Sequence, residues 1–187
     1  TSRRQRQMCI RDRILGKTEE FILENGIEKL TISKIAKELN ISQPAIYKHF
    51  KSKDELLTIL ALRWLNGQTL VKIFPFDTSK YEHQKEIVHD WLWSVAIAKY
   101  EAHRKTPEMF ALYTTYIGEN LELGRKHILE MVESLKTAAK FESEEEAAAY
   151  IQAFVYFHHP KIAPQWDDQF QNQFENLWTC LLYTSDA

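Results

Sequence analysis

Apolar residues recur along the chain at intervals of three and four, which is the spacing of one buried face of an α-helix. The first such stripe extends from Ile14 to Ile22, and Gly26 is expected to stop this helix because glycine readily adopts the left-handed backbone of a helix end. No segment alternates apolar and polar residues as a half-buried strand does, and no segment repeats another. The pattern predicts an all-α protein of about nine helices.

Small polar residues predict the boundaries of the next three helices. Thr31 is placed to cap a short helix that stops at Asn40, and Ser42 is placed to cap the following helix. Ser52, three residues before a glutamate, has the spacing of a capping box at the start of a longer helix. Residues 31–50 are therefore predicted to form a helix-turn-helix, a unit that can place its second helix in the major groove of DNA. Its predicted core comprises Ile35, Ala36, Leu39, Ile46 and Phe50.

Beyond Pro75 the predicted helices are longer. Their approximate ranges are 79–104, 107–116, 119–140, 144–158 and 164–180. Cap signals support two of these starts, because Pro107 suits a first helical turn and Ser143 precedes a glutamate by three residues. We expect a helix-turn-helix domain at residues 14–65, linked by its fourth helix to a larger helical domain at residues 66–179.

Both ends of the chain are expected to be non-native, over residues 1–13 and 180–187. The codons of Met8–Asp12 can be the reverse complement of those of Cys180–Thr184, and this segment resembles the adapter used in transposase-based library preparation. The resemblance begins at Arg3. Both cysteines of the chain lie in these ends, so the remainder has no thiolate and no disulfide framework, which fits a reducing compartment.

The net charge of −2 conceals an uneven distribution. Residues 31–53 contain five lysines and one glutamate, whereas residues 66–179 contain 11 basic and 17 acidic residues. Positive charge thus concentrates on the predicted helix-turn-helix, the part of the chain that would face phosphate groups.

Catalytic and metal-binding patterns are absent from the sequence. It contains no His-Glu-x-x-His pair, no Gly-rich phosphate loop and no nucleophile elbow, and the neighbours His158 and His159 would point about 100° apart on a helix. We therefore expect no catalytic residues, no metal site and no cofactor. No apolar run has the length of a membrane span, so we expect a cytoplasmic protein with no membrane partner.

The helix-turn-helix and the start of the next helix resemble the DNA-binding domain of TetR-family transcriptional regulators, over about residues 14–64. The resemblance is carried by Thr31, Ile32, Ile35, Ala36, Ser42, Tyr47, Phe50, Ser52, Lys53 and Leu56. It implies a homodimeric, sequence-specific repressor of double-stranded DNA that a small-molecule effector releases from a palindromic operator. The alternatives are a TetR-like activator, a sensor without repression, and an all-helical metal-dependent protein.

The same resemblance implies which residues contact DNA. They are Thr31, Lys34, Ser42, Gln43, Pro44, Ala45, Tyr47, Lys48, His49 and Lys53. The amide of Gln43 can pair with an adenine edge and Ala45 suits a thymine methyl group. Lys53 is expected at a helix N-terminus, where its charge and the free amides both attract phosphate. For Tyr47 the alternative is a core aromatic, and for Lys34 it is a solvated face.

In the larger domain the resemblance implies a ligand pocket and a dimer interface formed by the last two helices. The candidate pocket residues are Trp91, Trp93, Val95, Tyr113, Tyr116, His127, Phe157 and His158, with the two histidines as polar anchors for a hydrophobic or aromatic ligand. The candidate interface residues are Phe154, Phe170, Phe174 and Trp178. Plain core packing is the alternative for each residue of both sets.

Overall fold

The structure, a computed structural model, describes residues 2–185, which contain nine α-helices and no strand. The helices are α1 (Arg3–Asn25), α2 (Ile32–Leu39), α3 (Gln43–Tyr47), α4 (Lys53–Gln68), α5 (Gln84–Lys105), α6 (Pro107–Tyr113), α7 (Leu121–Ala139), α8 (Glu144–Ala153) and α9 (Phe170–Ser185). The all-α prediction is confirmed. In the part of the chain that the structure describes, no helix is both long and apolar enough to cross a membrane.

The helix α1 continues without a break through residues expected to be non-native. It begins at Arg3, and Arg11 donates a hydrogen bond to the carbonyl of His49 at 2.6 Å while its guanidinium lies over the ring of Phe50. The non-native origin of the two ends stays a prediction, and Thr1 and residues 186–187 lie outside the described residues.

The cap signals of the helix-turn-helix are confirmed. The hydroxyl of Thr31 accepts the N–H of Lys34 at 3.2 Å, and the hydroxyl of Ser42 accepts the N–H of Ala45 at 3.3 Å. Asn40 ends α2 in the left-handed region, with φ of 54°. Each bond satisfies an N–H that the first turn of a helix leaves without a backbone partner, so the local sequence is sufficient to set both boundaries.

The capping box at the start of α4 forms only in part. The hydroxyl of Ser52 accepts the N–H of Glu55 at 3.1 Å, as expected. The carboxylate of Glu55 accepts the backbone N–H of Lys51 instead of that of Ser52. The acidic side chain therefore holds the residue before the cap, and α4 still begins where the sequence placed it.

For the last two helices, the predicted end of the first, near residue 158, and the predicted start of the second, near residue 164, are wrong. α8 ends at Ala153 and a 3₁₀ turn follows, and Pro160–Gln165 forms a second 3₁₀ segment before α9 begins at Phe170. Proline has no N–H to give to a helix and its ring clashes with the preceding turn, so Pro160 and Pro164 favour the shorter structure. The indole N–H of Trp166 donates to the carbonyl of Tyr156 at 2.7 Å and fixes this connection.

The larger part of the chain packs directly on the helix-turn-helix through α6. This helix continues as a π-helical turn at Thr114–Gly118, and both contact α4. The ring of Trp64 in α4 lies 6.2 Å from Phe110 and 6.1 Å from Tyr113, and the hydroxyl of Tyr116 donates to Asp54 at 3.3 Å. One continuous apolar core therefore connects the predicted DNA-binding helices to the rest of the protein.

Candidate nucleic-acid interface and ligand cavity

The polar face of α3 is exposed to solvent. Gln43, Pro44 and Lys48 are exposed, whereas Ile46 and Phe50 on the other face are buried. Tyr47 keeps 48% of its surface exposed, so the alternative of a core aromatic is wrong for this residue. Of the remaining candidates, Thr31 and Ser42 are exposed and Ala45, His49 and Lys53 are half-buried. The face of α3 opposite its buried side is thus available to base edges.

The lysines around α3 carry no counter-ion within the described residues. They are Lys34, Lys37, Lys48, Lys51 and Lys53, and none of them takes part in an ion pair. Two are held by backbone carbonyls, since the ammonium of Lys34 donates to Lys29 at 2.8 Å and that of Lys53 donates to Leu30 at 2.8 Å. An ammonium has three N–H donors, so both groups retain donors for phosphate.

The eight candidate pocket residues do not surround one cavity. Trp91, Val95, Phe157 and His158 border a space of only about 10 Å³, and the indole of Trp91 donates to Ser134 at 2.9 Å. Trp93 packs on α9 and Tyr116 packs on α4, and neither residue borders this space. For Trp91, Val95 and Phe157, core packing is therefore the arrangement that the structure shows.

A second cavity, of about 110 Å³, is bordered by the candidates Tyr113, His127 and His158 and by one residue that was not predicted from the sequence. That residue is Lys99 of α5, which is only 2% exposed. Its ammonium donates to the Tyr113 hydroxyl at 3.1 Å, to Nε2 of His127 at 3.2 Å and to the carbonyl of His158 at 3.0 Å. We name these four residues the Lys99 cluster. A signal for Lys99 was present, because it follows Val95 by four residues on the apolar stripe of α5.

Burial shifts the titration of all four side chains toward the neutral form. It lowers the pKa of Lys99 to about 7 and raises that of the Tyr113 hydroxyl. Burial, followed by the charge of Lys99, lowers the pKa of His127 well below its usual value and that of His158 to about 3. Both imidazoles are therefore neutral at pH 7, and Nε2 of His158 is fixed by the carbonyl of Ile151 at 2.8 Å.

The four candidate interface residues lie in the interior of the protomer. Phe154, Phe170 and Phe174 are at most 2% exposed, and Trp178 is 8% exposed. The ring of Phe174 lies 5.0 Å from that of Phe154 and 4.9 Å from that of Trp93. These side chains hold α9 against α5 and α8. Their packing therefore favours a role in the core of one protomer and not in direct contacts with a second chain. A homodimer stays a prediction.

A polar group also connects α5 to α9. His89 contacts Asp90 at 2.8 Å and Glu175 at 3.0 Å, between the rings of Phe174 and Trp178. Burial by itself would lower the pKa of His89, but the hydrogen bonds to both carboxylates outweigh it and the pKa is raised. Within residues 2–185, no three His, Cys, Asp or Glu side chains are grouped so that they could hold a metal ion.

Two family models match the chain. The model described as "Bacterial regulatory proteins, tetR family" matches residues 14–58, and the model described as "Tetracyclin repressor-like, C-terminal domain" matches residues 85–178. Among curated proteins, the tetracycline repressor protein class D of Escherichia coli is 40% identical over 55 residues, which are 29% of this chain and 25% of that protein. The matched segments span 23–41% of the length of the curated relatives.

Solved structures resemble the chain over nearly its whole length. The crystal structure of BioQ with its double-stranded DNA operator has a TM-score of 0.57 and 21% identity, and the match covers 91% of this chain and 96% of that one. A TetR transcriptional regulator from Nitrosomonas europaea has a TM-score of 0.58 and 16% identity, with coverage of 95% and 99%. The arrangement of an N-terminal helix-turn-helix and a larger helical domain is therefore shared with these proteins.

Proposed function

The chain belongs to the TetR family of bacterial regulatory proteins and is a DNA-binding transcriptional regulator, and from this we propose that it is a homodimeric repressor that a small-molecule effector releases from a palindromic operator. The proposal includes action in the cytoplasm, where bacterial DNA lies. The observation that carries it is the exposed polar face of α3 among five lysines without counter-ions in the described residues. Such a surface can contact phosphate groups with its cations and base edges with α3.

The repressor mode is supported by the matched tetracycline repressor. BioQ, whose fold is similar, was crystallised with its DNA operator, which supports operator binding by this chain. Two copies related by a two-fold axis would place two α3 helices on two half-sites, which is why a palindrome is expected.

Release by an effector is supported by the packing of α6 on α4. The cavity residue Tyr113 contacts Trp64 of α4, and Tyr116 bonds to Asp54 near the start of the same helix. A ligand that prefers one position of α6 would shift the population of the protein toward one position of α4 and of the adjoining α3. If that position no longer matches both half-sites, DNA affinity falls.

The proposed dimer interface uses the exposed faces of α8 and α9. Because the four aromatic candidates are buried in the protomer, the contacts would come from smaller and polar side chains such as Ala149, Gln152 and Asn176. Val155, which is 41% exposed, follows α8 and extends this surface. Sedimentation of the purified chain, alone and with duplex, tests the stoichiometry.

The proposal is tested by selecting bound duplexes from a random pool. We expect enrichment of a two-fold symmetric site, with two chains per duplex. A reporter placed behind that site should be repressed by the chain and derepressed by the effector. Failure to enrich any sequence would refute operator binding, and higher reporter expression in the presence of the chain would identify an activator instead.

A further inference from the structure

Lys99 is a buried cation that lacks a negative partner. All three acceptors of its ammonium are neutral groups, and no carboxylate of the described residues pairs with it. Burying a charge without a counter-ion is costly, and an apolar side chain of similar length would fill the same position without that cost. The position therefore suits a lysine best when an anion is supplied from outside the chain.

Two further groups of the Lys99 cluster have unused donors. Because Nε2 of His127 accepts from Lys99, its proton lies on Nδ1, and this buried atom has no hydrogen-bond partner. The hydroxyl of Tyr113 likewise accepts from Lys99, so its own proton is available to another acceptor. One uncompensated positive charge and two free donors thus belong to residues that border the same cavity.

The cavity has room for a small molecule and apolar walls. Its volume of about 110 Å³ exceeds the roughly 10–15 Å³ that one water needs. Ile117, Ile128 and Pro160 provide apolar surface, and Gly118 lies at the end of the π-helical turn. A Cβ atom on Gly118 would come within 2.7 Å of Cγ of Pro160, so the close approach of these two segments requires the glycine.

We propose that this cavity binds a small organic carboxylate, held by Lys99, Tyr113 and His127 and lined along its apolar part by Ile117 and Ile128. The inference rests on the proposed function, in which a small molecule releases the operator, and it names the chemical class of that molecule. Inorganic phosphate fits less well, because the cluster contains no arginine and its walls are apolar.

The same geometry connects the ligand to α4. The carboxylate would accept a hydrogen bond from the Tyr113 hydroxyl, while the ring of Tyr113 lies 6.1 Å from Trp64 in α4. Binding also requires protonated Lys99. Since burial lowers the pKa of Lys99 to about 7, affinity should fall as the pH rises above that value, whereas the neighbouring His127, His158 and His159, whose pKa values are lowered, remain neutral.

The test is calorimetric titration at pH 6.5 of acetate, butyrate and benzoate, with butyramide as the neutral match for butyrate and inorganic phosphate as a second anion. The proteins are the full chain, Lys99→Met, Tyr113→Phe and Lys126→Met, an exposed lysine on α7 as control. We expect the full chain and Lys126→Met to bind at least one carboxylate but not butyramide. Lys99→Met should bind it at least about tenfold more weakly, and Tyr113→Phe should show a smaller loss.

Four results would overturn the inference: equal binding of butyrate and butyramide, binding of phosphate alone, unchanged binding by folded Lys99→Met, and no binding of any carboxylate. Circular dichroism establishes whether each variant is folded. If Lys99→Met does not fold, Tyr113→Phe still tests the inference, because it removes only one hydroxyl group. Duplex binding is measured in parallel. A chain that binds a selected duplex but no carboxylate loses only this inference, whereas one that binds a carboxylate but prefers no duplex loses the proposed operator binding.

Discussion

Replacement of Lys99 by methionine should change the stability of the protein in a pH-dependent manner that reverses sign. The pKa of Lys99 is lowered from 10.5 to about 7 in the folded chain, so the unfolded chain holds the proton more tightly. Protonation therefore destabilises the fold, fully below pH 7 and progressively less as the pH rises to 10.5. The shift corresponds to an upper limit of about 5 kcal/mol below pH 7 and about 1 kcal/mol at pH 10.

Methionine removes this cost but also removes three hydrogen bonds. At about 1 kcal/mol each, their loss is worth about 3 kcal/mol at every pH, because the neutral amine still donates two of these bonds and can accept the third from the Tyr113 hydroxyl. Lys99→Met should therefore be more stable than the parent by about 2 kcal/mol at pH 6 and less stable by about 2 kcal/mol at pH 10. For a chain of this length, 1 kcal/mol corresponds to about 2–4 °C in Tm.

The assay is urea unfolding from pH 6 to pH 10, at one protein concentration and in buffers without carboxylate, because both an oligomer and a bound ligand shift apparent stability. Lys126→Met is the matched control and should show a difference from the parent that does not depend on pH. A constant difference for Lys99→Met across this range would refute the reasoning, since it would mean that Lys99 titrates alike in the folded and unfolded chains.

Three other predictions concern DNA binding and the contact between α5 and α9. Gln43→Ala should change the preferred base at one position of each half-site and cost about 1–3 kcal/mol on the parent site, which a repeated duplex selection measures; an unchanged preference would contradict base contact. Lys48→Ala should weaken binding to all duplexes alike and reduce the slope of log affinity against log salt by about 1 per half-site, whereas an unaltered slope would remove this lysine from the phosphate contacts. His89→Gln should lower stability more at pH 5.5 than at pH 8.5, because a raised pKa contributes stability that is lost as the pH rises through it; urea midpoints that fall equally at both pH values would disprove the charged contact.

The helix-turn-helix could be predicted from the sequence because its signals are local. The caps at Thr31 and Ser42 each join residues three positions apart, and the left-handed stop at Asn40 depends on that residue and its neighbours. Such interactions form wherever the helix forms, whatever surrounds it. The amphipathic spacing likewise identified five core residues. Ile35, Ala36, Ile46 and Phe50 are buried, whereas Leu39 is half-buried and packs against the core.

The larger domain contains features that only the tertiary structure decided. Lys99 meets Tyr113, His127 and His158 from 14, 28 and 59 positions away, and no sequence pattern determines which distant side chains meet. The aromatic stripe of α9 fitted an interface between chains or a core within one chain equally well, and the packing of Phe174 on Trp93 places it inside the protomer. Periodicity shows which side of a helix is apolar, whereas the arrangement of all the helices determines what covers that side, where a cavity remains and whether a charge is buried in it.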